Sequence, residues 1–252
     1  MPDAAGITDA VFRAVRGGNA FEETVERLLE GIKLGVYAPG DRLPAERELT
    51  RLLGVSRITL REALRSLGEL GYVQTRRGRF GGTFIVRAPE PLPLASLAVS
   101  PAVLEDALTY RAVLEAGAAE MAARATLSAT QREELTDCLA VVRAAVGTGP
   151  SADGPPTVSA GYRAADTRLH LAIADATGSA LLVAGVVEAR VRLVDLLNSI
   201  PMLARNLEHA NVQHAAIVAA ILSGDAARAR QAMAEHVAGT AALLRGFLRD
   251  NQ

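Results

Sequence analysis

The chain carries four histidines, and three of them stand at spacings that suit metal ligation. Asp166 and His170 are four residues apart, so on a helix both project to the same side. His214 opens the run HAAIVAAILSGDAARARQAMAEH and His236 closes it, 22 residues further on. Two helices joined at Ser223-Gly224-Asp225 would bring those two histidines toward one depth. One carboxylate and three imidazoles converging in a helical core suit a borderline divalent ion such as Zn²⁺, Ni²⁺, Mn²⁺ or Fe²⁺. Spacing alone leaves a plainer reading open. D-x3-H pairs are common, and helical histidines often serve as satisfied core or surface groups.

A second kind of chemistry is concentrated between residues 39 and 86. Arg57, Arg61 and Arg65 recur every four residues on one stripe of a helical pattern, opposite its leucines. A guanidinium can grip guanine O6 and N7 with two hydrogen bonds or pair with a phosphate. Residues at the start of such a helix reach base edges, which marks Arg57, Thr59 and Arg61, while Arg65 falls toward the DNA backbone or solvent. Arg47, on the preceding helix, can reach a phosphate or lean into the same groove. Arg76, Arg77 and Arg79, with Gly78, Gly81 and Gly82, form a basic tip whose backbone can approach a minor groove closely. The bland alternative is a solvated, charge-rich face.

Positioning these arginines requires a small core, and the sequence provides one. Leu49, Leu52 and Leu53 line one face of a first short helix; Leu60, Ala63, Leu64, Leu67 and Leu70 repeat at helical spacing on a second. Gly54 falls in the turn between them, and Ser56 is placed to cap the second helix. With the β-hairpin that follows, this is the outline of a winged helix-turn-helix. Phe21, Val25, Leu28, Leu29 and Ile32 predict a further amphipathic helix ending near Gly35.

Charge agrees with that division. Residues 42–87 hold ten Arg and four Glu, a net of +6, so the rest of a chain of net charge −1 sums to −7. A DNA-reading unit joined to an acidic partner unit has this asymmetry. Half of the residues are hydrophobic and Trp is absent, while Ala, Leu and Arg abound, which favours helices. The expected fold class is mainly α: a winged helix-turn-helix followed by an all-α bundle of six or seven helices. Residues 1–19 read as a flexible extension, 20–87 as the DNA-binding domain, 88–101 as a stiff Pro-rich linker, and 102–249 as the bundle. Helices are expected near 102–125, 129–146, 161–177, 179–199, 203–222 and 225–249, with GTGPSADGPP at 147–156 as a mobile loop. The single cysteine, Cys138, excludes an intramolecular disulfide and sits at an ordinary helix position. No signal-peptide pattern opens the sequence and no apolar run is long enough to span a bilayer, so a cytoplasmic location is expected.

The stretch PGDRLPAEREL–GVSRITLREAL–GGTFIV resembles the N-terminal domain of the GntR family of bacterial transcription regulators. Two departures stand out. Ala45 occupies a position where the family has Ser or Thr, and the tip RRGRFGGTF is one residue longer than the common RGRGTF. The resemblance implies that Arg47, Arg57 and Arg61 make the main operator contacts. With Ser56 and Thr59 on the helix and Arg77, Gly78 and Arg79 in the wing, these are the DNA-binding candidates.

The remainder resembles the FCD ligand-binding domain of the FadR-type subfamily. The residues that carry this are Arg111 to Glu115, DTRLHLAIADATG, and the run from His214 to His236. Ser179 stands where an Asn is common. The resemblance implies that Asp166, His170, His214 and His236 hold a divalent metal, and that His209 matches no ligand position. Four protein ligands on a six-coordinate ion leave two positions for a bidentate carboxylate or hydroxy acid. Arg111 could supply the counter-charge; the alternative is a surface pair between Arg111 and Glu115.

Together these features predict a homodimeric regulator, acting as a repressor, that binds a palindromic double-stranded operator and responds to a small carboxylate. Dimerisation follows because one winged domain reads few base pairs, and a palindrome needs two related by a dyad. Two rivals remain in view: a repressor that senses the metal itself, and a metal-dependent hydrolase. No general base stands beside the ligand positions and no nucleophile elbow is present, so the chain is not expected to be an enzyme.

Overall fold

The computed structural model describes residues 5–15, 19–97, 99–146 and 161–249. They form two compact units, residues 5–90 and residues 91 onward.

In the first unit, α1 (Ala5–Val11) and α2 (Ala20–Lys33) precede α3 (Glu46–Leu53), α4 (Arg57–Glu69), and the strands β1 (Val73–Arg76) and β2 (Gly82–Ile85). Asn19 caps α2, its side chain accepting from the Phe21 amide; α2 packs against α4, and its Leu28 and Ile32 are buried. Ala45 offers α3 no side-chain cap, a loss of about 1 kcal/mol relative to Ser or Thr. Gly54 ends α3 in the left-handed region at φ 66°, which lets the chain turn straight into α4. Ser56 then accepts from the Thr59 amide at 3.0 Å and caps α4. Leu49, Leu52, Leu53, Leu60, Ala63, Leu64 and Leu67 are buried together as expected. Leu70 is not: it lies past the end of α4 and is 57% exposed. The strands pair antiparallel from Val73↔Ile85 to Arg76↔Gly82, and Arg42 adds an isolated bridge to Phe84.

The N-terminal segment corrects the expectation of a flexible extension. Residues 5–11 are helical, and Ile7, Ala10, Val11 and Phe12 are buried, with Phe12 stacked on Tyr37. Four apolar residues within six positions are enough to dock one short helix, although they are too few to show a periodicity. The Gly17-Gly18 break lies outside the described residues.

The second unit contains six helices among the described residues: α5 (Pro101–Arg124), α6 (Ala129–Ala144), α7 (Tyr162–Asp175), α8 (Ala180–Ser199), α9 (Ala204–Ser223) and α10 (Ala226–Arg249). Local chemistry sets their ends. Ser100 caps α5 with Pro101 in its first turn, and Ser128 and Gln131 form a reciprocal capping box on α6. Ser179 caps α8 by accepting from the Leu182 amide, so it does at that boundary what an Asn would do. α5 packs on α8, α9 and α10, and α7 on α6 and α8. The alanine-rich face of α5, Ala116, Ala118, Ala119, Ala122 and Ala123, is buried and permits close helix approach. Cys138 is half-buried beside this core, and burial raises its thiol pKa to about 11.

The stretch 88–101 also departs from expectation. From residue 91 it belongs to the helical unit. Leu94, Leu97 and Val99 pack on the cluster around Leu104, Leu108 and Leu193, and the Ser199 hydroxyl donates to the Leu92 carbonyl. Four prolines read as an extended spacer, but the leucines between them supply a docking face. The loop expected at 147–156 lies outside the described residues. No helix among the described residues is long and apolar enough to cross a membrane.

Candidate functional site

The four residues singled out by spacing meet inside the helical unit. α7 presents Asp166 and His170, α9 presents His214, and α10 presents His236, with one ligand atom from each within 4.8 Å of all the others. The His214 and His236 Nε2 atoms face each other at 3.2 Å, His214 Nε2 lies 3.3 Å from Asp166 Oδ1, and His170 Nε2 lies 3.7 Å from the same oxygen. All three imidazoles are buried. His170 Nε2 has no hydrogen-bond partner among the described residues.

Burial disfavours the imidazolium at both His170 and His236. It holds His170 below the usual histidine range despite the Glu115 carboxylate beside it. His236 is driven further down, by burial first and then by its His214 and His170 neighbours. A neutral imidazole presents a lone pair, which is the form a metal takes. Burial alone would raise the Asp166 pKa, but Arg190, His170 and His214 outweigh it and hold the group ionised, well below the ordinary carboxylate range. Three buried imidazoles, one carboxylate and an unsatisfied buried ring nitrogen together suit a divalent cation.

Behind these four lies a charged frame that the spacing did not reveal. Arg190 on α8 donates to Glu115 Oε1 at 3.2 Å, to Thr167 Oγ1 at 3.1 Å and to Asp166 Oδ2. Arg111 Nε donates to Glu115 Oε1 at 3.1 Å. His170 Nδ1 sits 2.8 Å from Glu115 Oε2, a close contact without hydrogen-bond alignment. His236 Nδ1 lies 3.2 Å from Gln213 Oε1. The surface-pair reading of Arg111 and Glu115 is therefore wrong: both are buried, at 2% and 1% exposure. The buried Nη1 of Arg111 has no hydrogen-bond partner among the described residues. In sequence, Glu115 stands as the i+4 partner of Arg111 and as the end of the segment that carries the family resemblance, neither of which places it beside His170. Arg190 carried one signal, an arginine inside the apolar run LLVAGVVEARVRLVDLL. His209 is exposed, away from the cluster.

In the first unit, the arginines singled out from the sequence are exposed. Arg57 stands in the first turn of α4, exposed and without an ion pair among the described residues. Arg61 is exposed but paired with Glu46 of α3 at 2.8 Å, and Arg65 pairs more loosely with Glu69 at 3.7 Å. Ser56 and Thr59 bond one another at the start of α4, so both hydroxyls already serve its cap. Arg47 is exposed on α3. Arg77, Gly78 and Arg79 lie exposed in the hairpin connection, while Arg76 stacks over the Phe84 ring at 4.7 Å.

Family models match both units. Residues 21–85 match the bacterial regulatory proteins of the gntR family, and residues 106–239 match the FCD domain. The chain belongs to the GntR family. A regulatory protein of Escherichia coli named for the L-lactate dehydrogenase operon is 33% identical over 91% of this chain and 88% of its own length. The HTH-type transcriptional regulator RmpR of Mycobacterium gastri is 47% identical, but over 32% of this chain and 30% of that protein. Among solved structures, Escherichia coli McbR/YncC shares the fold, with a TM-score of 0.54 at 20% identity over 92% of this chain and 99% of that one. The relatives are transcription regulators rather than enzymes, and this chain is a GntR-family regulator with a DNA-binding helix-turn-helix unit and a helical FCD domain.

Proposed function

We propose that this GntR-family regulator is a repressor whose operator affinity is set by a small carboxylate bound at a divalent metal centre in its FCD domain. The observation that carries the reading is the convergence of Asp166, His170, His214 and His236, buried, with ligand atoms within 4.8 Å of one another. A divalent ion held by Asp166, His170, His214 and His236 would supply a Lewis-acidic centre for an anionic oxygen ligand. Around it, Asp166 and Glu115 are balanced by Arg111 and Arg190, so a divalent ion would leave the pocket cationic, and an anion would offset part of that charge. Arg111, with a buried Nη1 still unsatisfied, is the residue assigned to the effector's carboxylate. The name of the E. coli relative points the same way, since lactate is a 2-hydroxy acid able to offer two oxygens.

At the DNA end, Arg57 and Arg61 read base edges. Arg47 and Ser56 fix the helix in the groove, joined by Thr59, whose hydroxyl is held in the cap by Ser56 rather than free for a base edge, and Arg77, Gly78 and Arg79 bring the wing to the backbone. A palindromic operator calls for two copies of the chain, and the effector acts by shifting the population competent to bind both half-sites.

Elemental analysis and a thermal-shift screen test this together. The purified protein should hold one divalent ion per chain, and His214→Ala and His236→Ala should lose it. Stoichiometric metal in both variants would remove the ligand assignment. A monocarboxylate or hydroxy acid at about a hundred times its dissociation constant should add roughly 2.7 kcal/mol of stability, and the shift should vanish on chelation. DNA affinity that follows added metal without any acid would instead make the ion the signal.

A further inference from the structure

We propose that Phe80, at the corner of the wing, enters the minor groove of bound duplex DNA and wedges against a base step. This rests on the reading that the wing faces DNA, and adds an apolar contact to the arginines already assigned there.

The ring is 84% exposed, on a hairpin whose root is well held. Thr75 and Thr83 bond across the strands at 3.1 Å, and Arg76 stacks on Phe84 beneath the tip. The Gly81 amide donates to the Gly78 carbonyl at 2.8 Å, which leaves Arg79 and Phe80 as the two corner residues of a tight turn. A Cβ on Gly81 would stand 2.5 Å from the Arg76 carbonyl oxygen, so this closure requires glycine, and with it the corner is fixed. Both corner residues keep negative φ, which most side chains can adopt, so the backbone neither demands nor forbids a phenylalanine here. Its ring contributes nothing to the core of the unit, and water is a poor solvent for it.

What flanks the ring identifies its occupant. Arg77 and Arg79 lie exposed on the same turn without ion pairs among the described residues, and the Arg79 guanidinium stands 5.8 Å from the Phe80 centroid. Cations for phosphates on either side of a single apolar wedge make up the equipment of proteins that enter minor grooves and part base steps. Residues 42–87 carry a net charge of +6, which disfavours a basic partner and favours a polyanion. Phe80 also lies in the segment one residue longer than the usual family tip.

The chain contains no tryptophan, so Phe80→Trp in the full-length protein gives a single emitter at the corner. Titrated with a duplex selected in vitro by the wild-type protein, the emission of that variant should fall about twofold as the indole stacks, and 2-aminopurine placed under the wing should brighten. Phe80→Ala should fold normally and bind that duplex roughly tenfold more weakly, the scale of one lost base stack. Its salt slope should be unchanged, because no phosphate contact is removed, whereas Arg79→Ala should lower the slope by about one. If the indole emission and the Phe80→Ala affinity are both unaltered while Arg79→Ala changes the slope, the wing is on DNA and the wedge is wrong. If neither Arg77→Ala nor Arg79→Ala changes the slope, the wing reading itself fails. A change in oligomeric state on Phe80→Ala with unaltered DNA affinity would make the ring a protein contact and overturn the proposal.

Discussion

In the winged unit, Arg57, Arg77 and Arg79 stand in water without ion pairs among the described residues, and Arg61 is 69% exposed even while paired with Glu46. In the helical unit, Arg111 and Arg190 are 2% and 3% exposed and joined to Glu115, with Arg190 holding Asp166 as well. The side chain is the same, but its energetics are opposite. An exposed pair contributes at most about 1 kcal/mol and exchanges freely for another anion, which is what a phosphate reader needs. A buried pair contributes little beyond an apolar substitute, yet losing one partner strands the other in a medium that cannot solvate it. The first set stands open to solvent; the second holds a pocket in shape, with the Nη1 of Arg111 left without a hydrogen-bond partner among the described residues. On the proposed reading, the winged unit would gain recognition from cations left exposed, and the bundle a fixed site from cations that are mostly paired.

Removing one guanidinium from each unit tests this contrast most severely. Arg190→Ala leaves Glu115 and Asp166 short of their common donor, and should cost about 3–5 kcal/mol in urea or thermal unfolding. A loss below 1 kcal/mol would mean that water enters the site readily and that the frame is not a frame. Acid gives the next largest effect. All four histidines lie at or beyond residue 170, so protonation of imidazole acts on the helical unit alone. His170 and His236 have folded-state pKa values depressed by burial. Below the unfolded-state value near 6.5 the unfolded chain takes up protons that the folded chain refuses, so stability declines as pH falls from there toward the folded values. Chelated protein should therefore lose up to about 1.4 kcal/mol per histidine for each pH unit below 6.5, while an isolated winged unit, if it folds, should show no such histidine-linked loss. Arg57→Ala should shift stability by no more than about 0.5 kcal/mol while costing roughly 1–3 kcal/mol of discrimination between selected and random duplex. Retained discrimination would place base reading elsewhere on the unit.

Much of this architecture can be read from short-range chemistry. The ends of α5, α6, α8 and α9 coincide with Ser100-Pro101, the Ser128–Gln131 box, Ser179 and Gly224, each of which acts within one helical turn. Local rules bring Asp166 to His170, an i,i+4 pair, and His214 toward His236, a helical hairpin, while the meeting of the two pairs is implied by the family resemblance and depends on tertiary packing. What stayed hidden depends on distant partners. Arg190 meets Glu115 across 75 residues of sequence, and no periodicity announces such a bond. The Arg111–Glu115 pair is indistinguishable in sequence from an exposed i,i+4 pair, since its burial is decided by α8 and α10 packing over it. Likewise α1 and the segment after residue 91 are ordered by tertiary docking of a few leucines, isoleucines and aromatics rather than by any pattern of their own.

The smallest expected effect concerns Glu46, and it distinguishes two roles for Arg61. The pair sits at 2.8 Å with both side chains at least a third exposed, so DNA can displace the carboxylate without a large penalty. Glu46 also lies in the first turn of α3, where a negative charge complements the helix dipole. Glu46→Gln should thus cost a few tenths of a kcal/mol in stability while freeing Arg61 and removing a charge that repels phosphate. If Arg61 contacts phosphate, affinity for selected and random duplex should rise together, by roughly twofold to fivefold at low salt, and the gain should fade as salt is raised. If Arg61 reads a base, the gain should be larger on the selected duplex and should survive at higher salt, because a bidentate contact inside the groove is screened less than an exposed charge. An affinity that falls on Glu46→Gln would show that the carboxylate orients the guanidinium instead of competing for it, and the pair in the winged unit would then resemble the buried frame more than its exposure suggests.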